Sequence, residues 1–162
     1  MNGCANLPQD EAYQELYRVN LEVNKEKYVT DPANYNMEEY FATTEEFYKN
    51  GGDCEEFSLA KFAKLKELGY STKRMWLVSG YTRKEGHNVL LVKLNDGREF
   101  ILDMNQRAPY RPNQSNFKPK YKYNQYEKIA FVDNVFNENT RTAVFSKENS
   151  EHLDSAFREF QK

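Results

Sequence analysis

Between His87 and Asp103 the chain carries two short apolar runs separated by Asn95-Asp96-Gly97, and this stretch constrains the fold more than any other. A three-residue loop with Gly97 in the left-handed region pairs Leu94 with Arg98. Lys93 then faces Glu99 as an opposite-charge cross-strand pair, and Leu91 faces Ile101. Leu90, Val92, Leu94, Phe100 and Leu102 all fall on the other face, which has to be buried. A two-residue loop would slip the pairing by one residue and scatter these groups. In the favoured register His87 and Asp103 share a face, two residues from being directly opposite. The hairpin therefore needs an apolar cover on one side.

The sequence offers that cover upstream. Asp53 is placed to cap a helix with Glu56 as its reciprocal partner, and the helix should run to Leu68 and stop at Gly69. Phe57, Leu59, Ala60, Phe62, Ala63, Leu65 and Leu68 give it a wide apolar face, with Lys61, Lys64 and Lys66 expected on its wet side. Before it, Gln9 to Asn24 has Ala12, Tyr13, Leu16, Val19 and Val23 at helical spacing. Tyr28-Val29-Thr30-Asp31-Pro32 breaks that helix, because the residue before proline avoids the helical region. An aromatic-rich connection over Asn34 to Ala42 follows. Thr43 and Glu46 then form a capping box for a short helix ending at Asn50-Gly51-Gly52.

Arg74 to Thr82 reads as a strand and Lys84-Glu85-Gly86 as a turn into the hairpin. Arg107 to Pro119, with Pro109 and Pro112, reads as a surface loop. Tyr126 to Val132 and Thr140 to Ser146 suggest two more strands, and Ser150 to Phe160 a closing helix. Helices followed by an antiparallel sheet argue an α+β fold, and 162 residues suit one domain over 1–162.

The net charge of -2 gives no global case for nucleic acid. Lys118, Lys120 and Lys122 alternate with Tyr121 and Tyr123, which fits an edge strand guarded by lysines better than a nucleic-acid strip. No apolar run approaches the roughly 18–20 residues needed to cross a bilayer, so no transmembrane segment is expected. Two cysteines, Cys4 and Cys54, allow at most one internal bridge. Gly3-Cys4-Ala5-Asn6 resembles the start of a processed bacterial lipoprotein, though a thiol of no consequence near the terminus fits better.

Cys54 falls in the first turn of its helix, where the positive end of the dipole and open backbone N–H groups favour a thiolate. A cysteine alone more often only packs. With His87 and Asp103 on one face of the hairpin, the set reads as a thiol nucleophile, its base and the carboxylate that orients the base. His152, the other histidine, belongs to a charged amphipathic stretch and reads as a surface residue. Asp53 and Glu55 flank Cys54 and oppose a thiolate. Either they are turned away as capping groups or a bound cation neutralises them, and calcium suits such hard oxygens.

Tyr28-Val29-Thr30-Asp31, Tyr40-Phe41-Ala42-Thr43, Gly51 to Glu56, Ala60-Lys61, Leu68-Gly69, His87-x-Val-Leu and Leu102-Asp103 together resemble the bacterial transglutaminase-like cysteine proteinases. The nearest type is the LapG-like periplasmic protease that cleaves large adhesins at the cell surface and so controls biofilm detachment. The likeness runs from about Leu21 to Pro112. It implies a papain-like α+β fold, a nucleophile helix packed on an antiparallel sheet, and a Cys54-His87-Asp103 triad. It further implies calcium held through Asp53 and Glu55, a protein substrate of the adhesin kind, a periplasmic location and a membrane-bound regulatory receptor. A transglutaminase or deamidase using the same acyl-enzyme, or a non-catalytic calcium-dependent binding module, would fit the same fold. Three positions depart from the family pattern: Phe41 replaces an expected Trp, Asn88 an expected Met, and Met104 an expected Asn.

Overall fold

The computed structural model describes residues 7–29, 43–83, 85–136, 140–142 and 158. Among the described residues three α-helices, α1 (Glu11–Asn24), α2 (Thr44–Asn50) and α3 (Cys54–Glu67), precede six strands. These are β1 (Met75–Thr82), β2 (Glu85–Lys93), β3 (Glu99–Leu102), β4 (Lys118–Tyr123), β5 (Lys128–Phe131) and β6 (Thr140–Thr142). They form one antiparallel sheet in the order β3-β2-β1-β4-β5-β6. The fold is α+β, as the order of elements suggests. No helix among the described residues is long and apolar enough to cross a membrane.

The hairpin forms in the register its charges and apolar residues select. Lys93 pairs with Glu99, Leu91 with Ile101 and Leu90 with Leu102. Gly97 takes a φ of 92° in the loop, and the Leu94 N–H donates to the Arg98 carbonyl at 2.8 Å. One face of the sheet presents Leu77, Leu90, Val92, Phe100 and Leu102 to α1 and α3, whose Tyr13, Leu16, Phe57, Phe62 and Leu65 complete the main core. Trp76, Val78, Val89, Leu91 and Ile101 form a smaller cluster on the opposite face with Phe117 and Phe131.

Both capping boxes are present. Thr43 and Glu46 exchange hydrogen bonds at the start of α2, and Asp53 and Glu56 do so at the start of α3. Leu68 is the C-cap of α3, followed by Gly69 at φ 98°.

Four readings of the sequence need correcting. Lys61 is 1% exposed rather than on a wet face. It lies seven residues, two helical turns, beyond Cys54, and α3 is enclosed by α1 on one side and the sheet on the other, so few of its positions reach water. Strand β4 is no edge, because the chain returns across the sheet after β3 and pairs β4 with β1 and β5. Its lysines alternate with the buried Pro119 and Tyr123 along an inner strand, and the Lys122 ammonium lies 4.3 Å from the centre of the Trp76 ring.

The stretch 107–119 is not simply a surface loop either. Tyr110 exchanges two backbone hydrogen bonds with Ile101, at 2.7 and 3.1 Å, and Phe117 is buried. This segment shields β3, which would otherwise expose an open edge. Finally, Glu85 and Gly86 already pair in β2 with Thr82 and Tyr81, so the reversal is tighter than the expected 84–86 turn. The expected closing helix and His152 lie outside the described residues, Arg158 excepted.

Gly51 sets where Cys54 goes. Its φ is 81°, its N–H bonds to the Phe47 carbonyl, and a Cβ there would sit 2.2 Å from the Lys27 carbonyl oxygen. Neighbouring backbone bonds, Gly52 N–H to Lys27 and Val29 N–H to Gly52, tie the segment after α1 to the start of α3. Gly51→Ala meets both a strained φ and a backbone clash, so it should cost about 2 kcal/mol or more of stability in urea denaturation.

Candidate active site

Cys54 occupies the first residue of α3, so its own N–H has no intrahelical acceptor and points out of the helix start. Asp53, immediately before it, accepts from the Glu56 N–H at 3.2 Å, while the Glu56 side chain accepts from the Asp53 N–H at 3.1 Å. The capping box thus fixes the peptide units on both sides of the cysteine. Cys54 is half-buried.

His87 is the third residue of β2, opposite Gly80 of β1. It lies on the sheet face of Val89 and Leu91, and its ring packs edge-on against Phe117 at 6.0 Å between centroids. Its Nε2 is 2.8 Å from Asp103 Oδ1, and both side chains are buried. Asp103 follows directly on β3, as the register argument requires.

Asp103 is held from several sides. Oδ1 also accepts from the Asn105 N–H at 2.9 Å, and Oδ2 accepts from the Tyr110 hydroxyl at 2.8 Å. The Asp103 carbonyl accepts from Asn24 Nδ2 of α1 at 3.1 Å. Burial alone would push the Asp103 carboxyl up. The hydrogen bond with His87, the Asn105 N–H, the imidazolium charge and the Tyr110 hydroxyl more than offset this and hold it below the usual carboxylate range.

The same balance operates on His87. Burial disfavours its cation, but the hydrogen bond to Asp103, contact with Cys54 and the two negative charges prevail and raise it to about 9. With Nε2 directed at Asp103, Nδ1 is the nitrogen left for the sulfur. An imidazolium set between a carboxylate and a thiol can hold a thiolate and deliver a proton.

A further group touches the nucleophile. Asn88 Nδ2 stands 3.7 Å from Cys54 Sγ, and the Ser79 hydroxyl donates to Asn88 Oδ1 at 2.6 Å. Neither Asn88 nor Tyr110 is apparent as a site residue from the sequence. Tyr110 falls in a proline-rich stretch with no periodicity, and its link to Asp103 depends on the chain folding back along β3. Tyr28, half-exposed, also borders the site. Partial burial and the nearby charges of Cys54, Asp53 and Glu85 push its hydroxyl up.

The structure therefore brings Cys54, His87 and Asp103 to one place. Asp53 and Glu55 flank the sulfur in sequence, and Asp53 acts as the helix cap. Among the described residues no group of three or more His, Cys, Asp or Glu side chains is arranged to hold a metal ion. Cys4 and the connection over Asn34 to Phe41 lie outside the described residues.

The chain and its fold are similar to known proteins. Residues 4–139 match the family described as bacterial transglutaminase-like cysteine proteinase. Solved structures of LapG from Legionella pneumophila superpose with the chain. The calcium-bound form gives a TM-score of 0.67 at 21% identity, covering 93% of this chain and 83% of LapG. The EGTA-treated form gives 0.69 at 21% identity, covering 95% and 82%. No curated protein sequence matches.

The buried pair makes stability depend on pH. His87 is raised in the folded state above the ordinary value of about 6.5, so its contribution is full below that value and is lost as pH rises through about 9. Urea denaturation should show stability falling between about pH 6.5 and 9, with a flatter profile in His87→Gln. Tyr110→Phe removes a buried donor from Asp103 and should cost about 1–3 kcal/mol in the same assay.

Proposed function

This chain belongs to the bacterial transglutaminase-like cysteine proteinases, and from that membership we propose that it is an endopeptidase working through Cys54, His87 and Asp103. Its assignment as a cysteine protease with a protein substrate follows from the family. The roles of the three residues rest chiefly on one observation: a buried imidazole, 2.8 Å from Asp103, in contact with a cysteine at the start of a helix.

In this mechanism the Cys54 thiolate attacks the peptide carbonyl, and the carbon–nitrogen bond of the tetrahedral intermediate breaks as the His87 imidazolium protonates the leaving amine. His87, now neutral, accepts a proton from a water that attacks the thioester. The acyl group leaves as a carboxylic acid, and the thiolate–imidazolium pair is restored. Asp103 keeps the ring oriented and stabilises its cation throughout. The Cys54 N–H, without an acceptor in the helix, is suited to the developing oxyanion. Turnover should fall at least a thousandfold in Cys54→Ala and His87→Ala, with the melting temperature of Cys54→Ala little changed. Undiminished cleavage by Cys54→Ala would end this reading.

Calcium belongs to the proposal as well, because a LapG structure is described as calcium-bound. Asp53 and Glu55 are the carboxylates that would contribute to such a site. The cap uses Asp53 Oδ1, and a carboxylate oxygen that accepts from an N–H can also coordinate a cation. The described residues do not complete a set of ligands, so the remaining oxygens would come from backbone carbonyls, water or residues outside the described ones. A bound cation would supply positive charge beside Cys54 and offset the flanking carboxylates. We expect added calcium to raise the melting temperature of the wild type and EGTA to reverse this. Both effects should be lost in Asp53→Asn/Glu55→Gln. Periplasmic location, a large adhesin as substrate and a regulatory membrane receptor complete the reading, supported by the family resemblance.

A further inference from the structure

We propose that Asn88 is a further catalytic residue, whose side-chain amide donates to the Cys54 sulfur and aims the nucleophile, with Ser79 fixing the direction of that amide. The inference rests on Cys54 being the nucleophile of the proposed protease. His87 and Asn88 are adjacent in β2, so their side chains leave opposite faces of the sheet. His87 lies with Val89 and Leu91, whereas Asn88 shares the face of Leu90 and Val92, which α3 covers. The first residue of α3 sits over the end of β2, and its sulfur meets both side chains.

The chemistry of the three groups agrees. Asn88 has two donors on nitrogen and an acceptor oxygen. Ser79 is its cross-strand partner in β1, and the Ser79 hydroxyl lies 2.6 Å from Oδ1. That bond spends the oxygen on Ser79 and turns Nδ2 toward Sγ at 3.7 Å, within hydrogen-bond reach for sulfur. A donor seated on the sulfur limits the directions in which Cys54 can point, and Ser79 keeps that donor in place.

The test is alkylation of Cys54 by iodoacetamide in the full chain at pH 7, alongside peptide cleavage and thermal melting. Cys4→Ser serves as the background so that only one thiol reacts. Asn88→Ala should slow alkylation about five- to tenfold, the scale of a hydrogen bond to a charged group. Asn88→Asp, nearly isosteric but with acceptors only at neutral pH, should slow it further. Ser79→Ala should act in the same direction and less strongly, since the amide then loses its fixed orientation. If the Asn88 and Ser79 variants lower only the melting temperature and alkylate at the parent rate, the amide is a structural link between strands and the proposal is overturned. If Cys54 in the parent reacts no faster than in the denatured chain, the nucleophile reading itself fails and takes this one with it.

Discussion

The hydrogen bond between His87 and Asp103 depends on a pairing decided some distance away, at the Asn95-Asp96-Gly97 loop. Were Leu94 not to face Arg98, the imidazole and the carboxylate would leave opposite sides of the sheet and could not meet. Gly97, at φ 92°, accommodates the three-residue reversal. The Lys93–Glu99 pair and the apolar face from Leu90 to Leu102 penalise any slip. A buried carboxylate is costly without partners, and Asp103 has three donors on its side chain: His87, the Asn105 N–H and the Tyr110 hydroxyl. Register delivers the residue, and these partners make its burial tolerable.

The second requirement is that the nucleophile arrive at the end of β2. Here the sequence and the fold cooperate through backbone groups. Gly51 and Gly52 bring the chain close to Lys27, and the Asp53–Glu56 box starts α3 at one defined residue. The same box answers part of the electrostatic conflict around Cys54, since the Asp53 Oδ1 is directed at the Glu56 N–H within the helix start. The Asn88 amide, on the other side of the sulfur, brings a donor.

Local rules made much of this legible. Both capping boxes, the Gly69 stop and the hairpin register follow from residues within a few positions of each other, where spacing alone carries the information. The triad candidates could be placed because His87 and Asp103 belong to that one hairpin. What the sequence hid depends on partners far along the chain. The return of β4 to β1 is a matter of strand order, which alternation along Lys118 to Tyr123 does not encode. Tyr110 looks like loop until β3 is seen to lack a neighbour. Lys61 looks solvated until α3 is seen to be covered on both sides. Asn88 reads as an anonymous polar residue because its meaning lies 34 positions away in sequence, at Cys54.

Lys61 sharpens the account of where the site keeps its proton. This buried lysine feels the charge of Asp103, as His87 does, and two cations near one carboxylate compete for it. Burial dominates for Lys61 and lowers it to about 7, the attraction of Asp103 recovering only part of the loss. His87 also pays for burial, but a direct 2.8 Å hydrogen bond to the carboxylate, together with Cys54, lifts it to about 9. At neutral pH the proton therefore sits more firmly on the imidazole than on the ammonium. Contact decides the outcome over proximity, and of the two cations it leaves the charge on the one that also touches the sulfur.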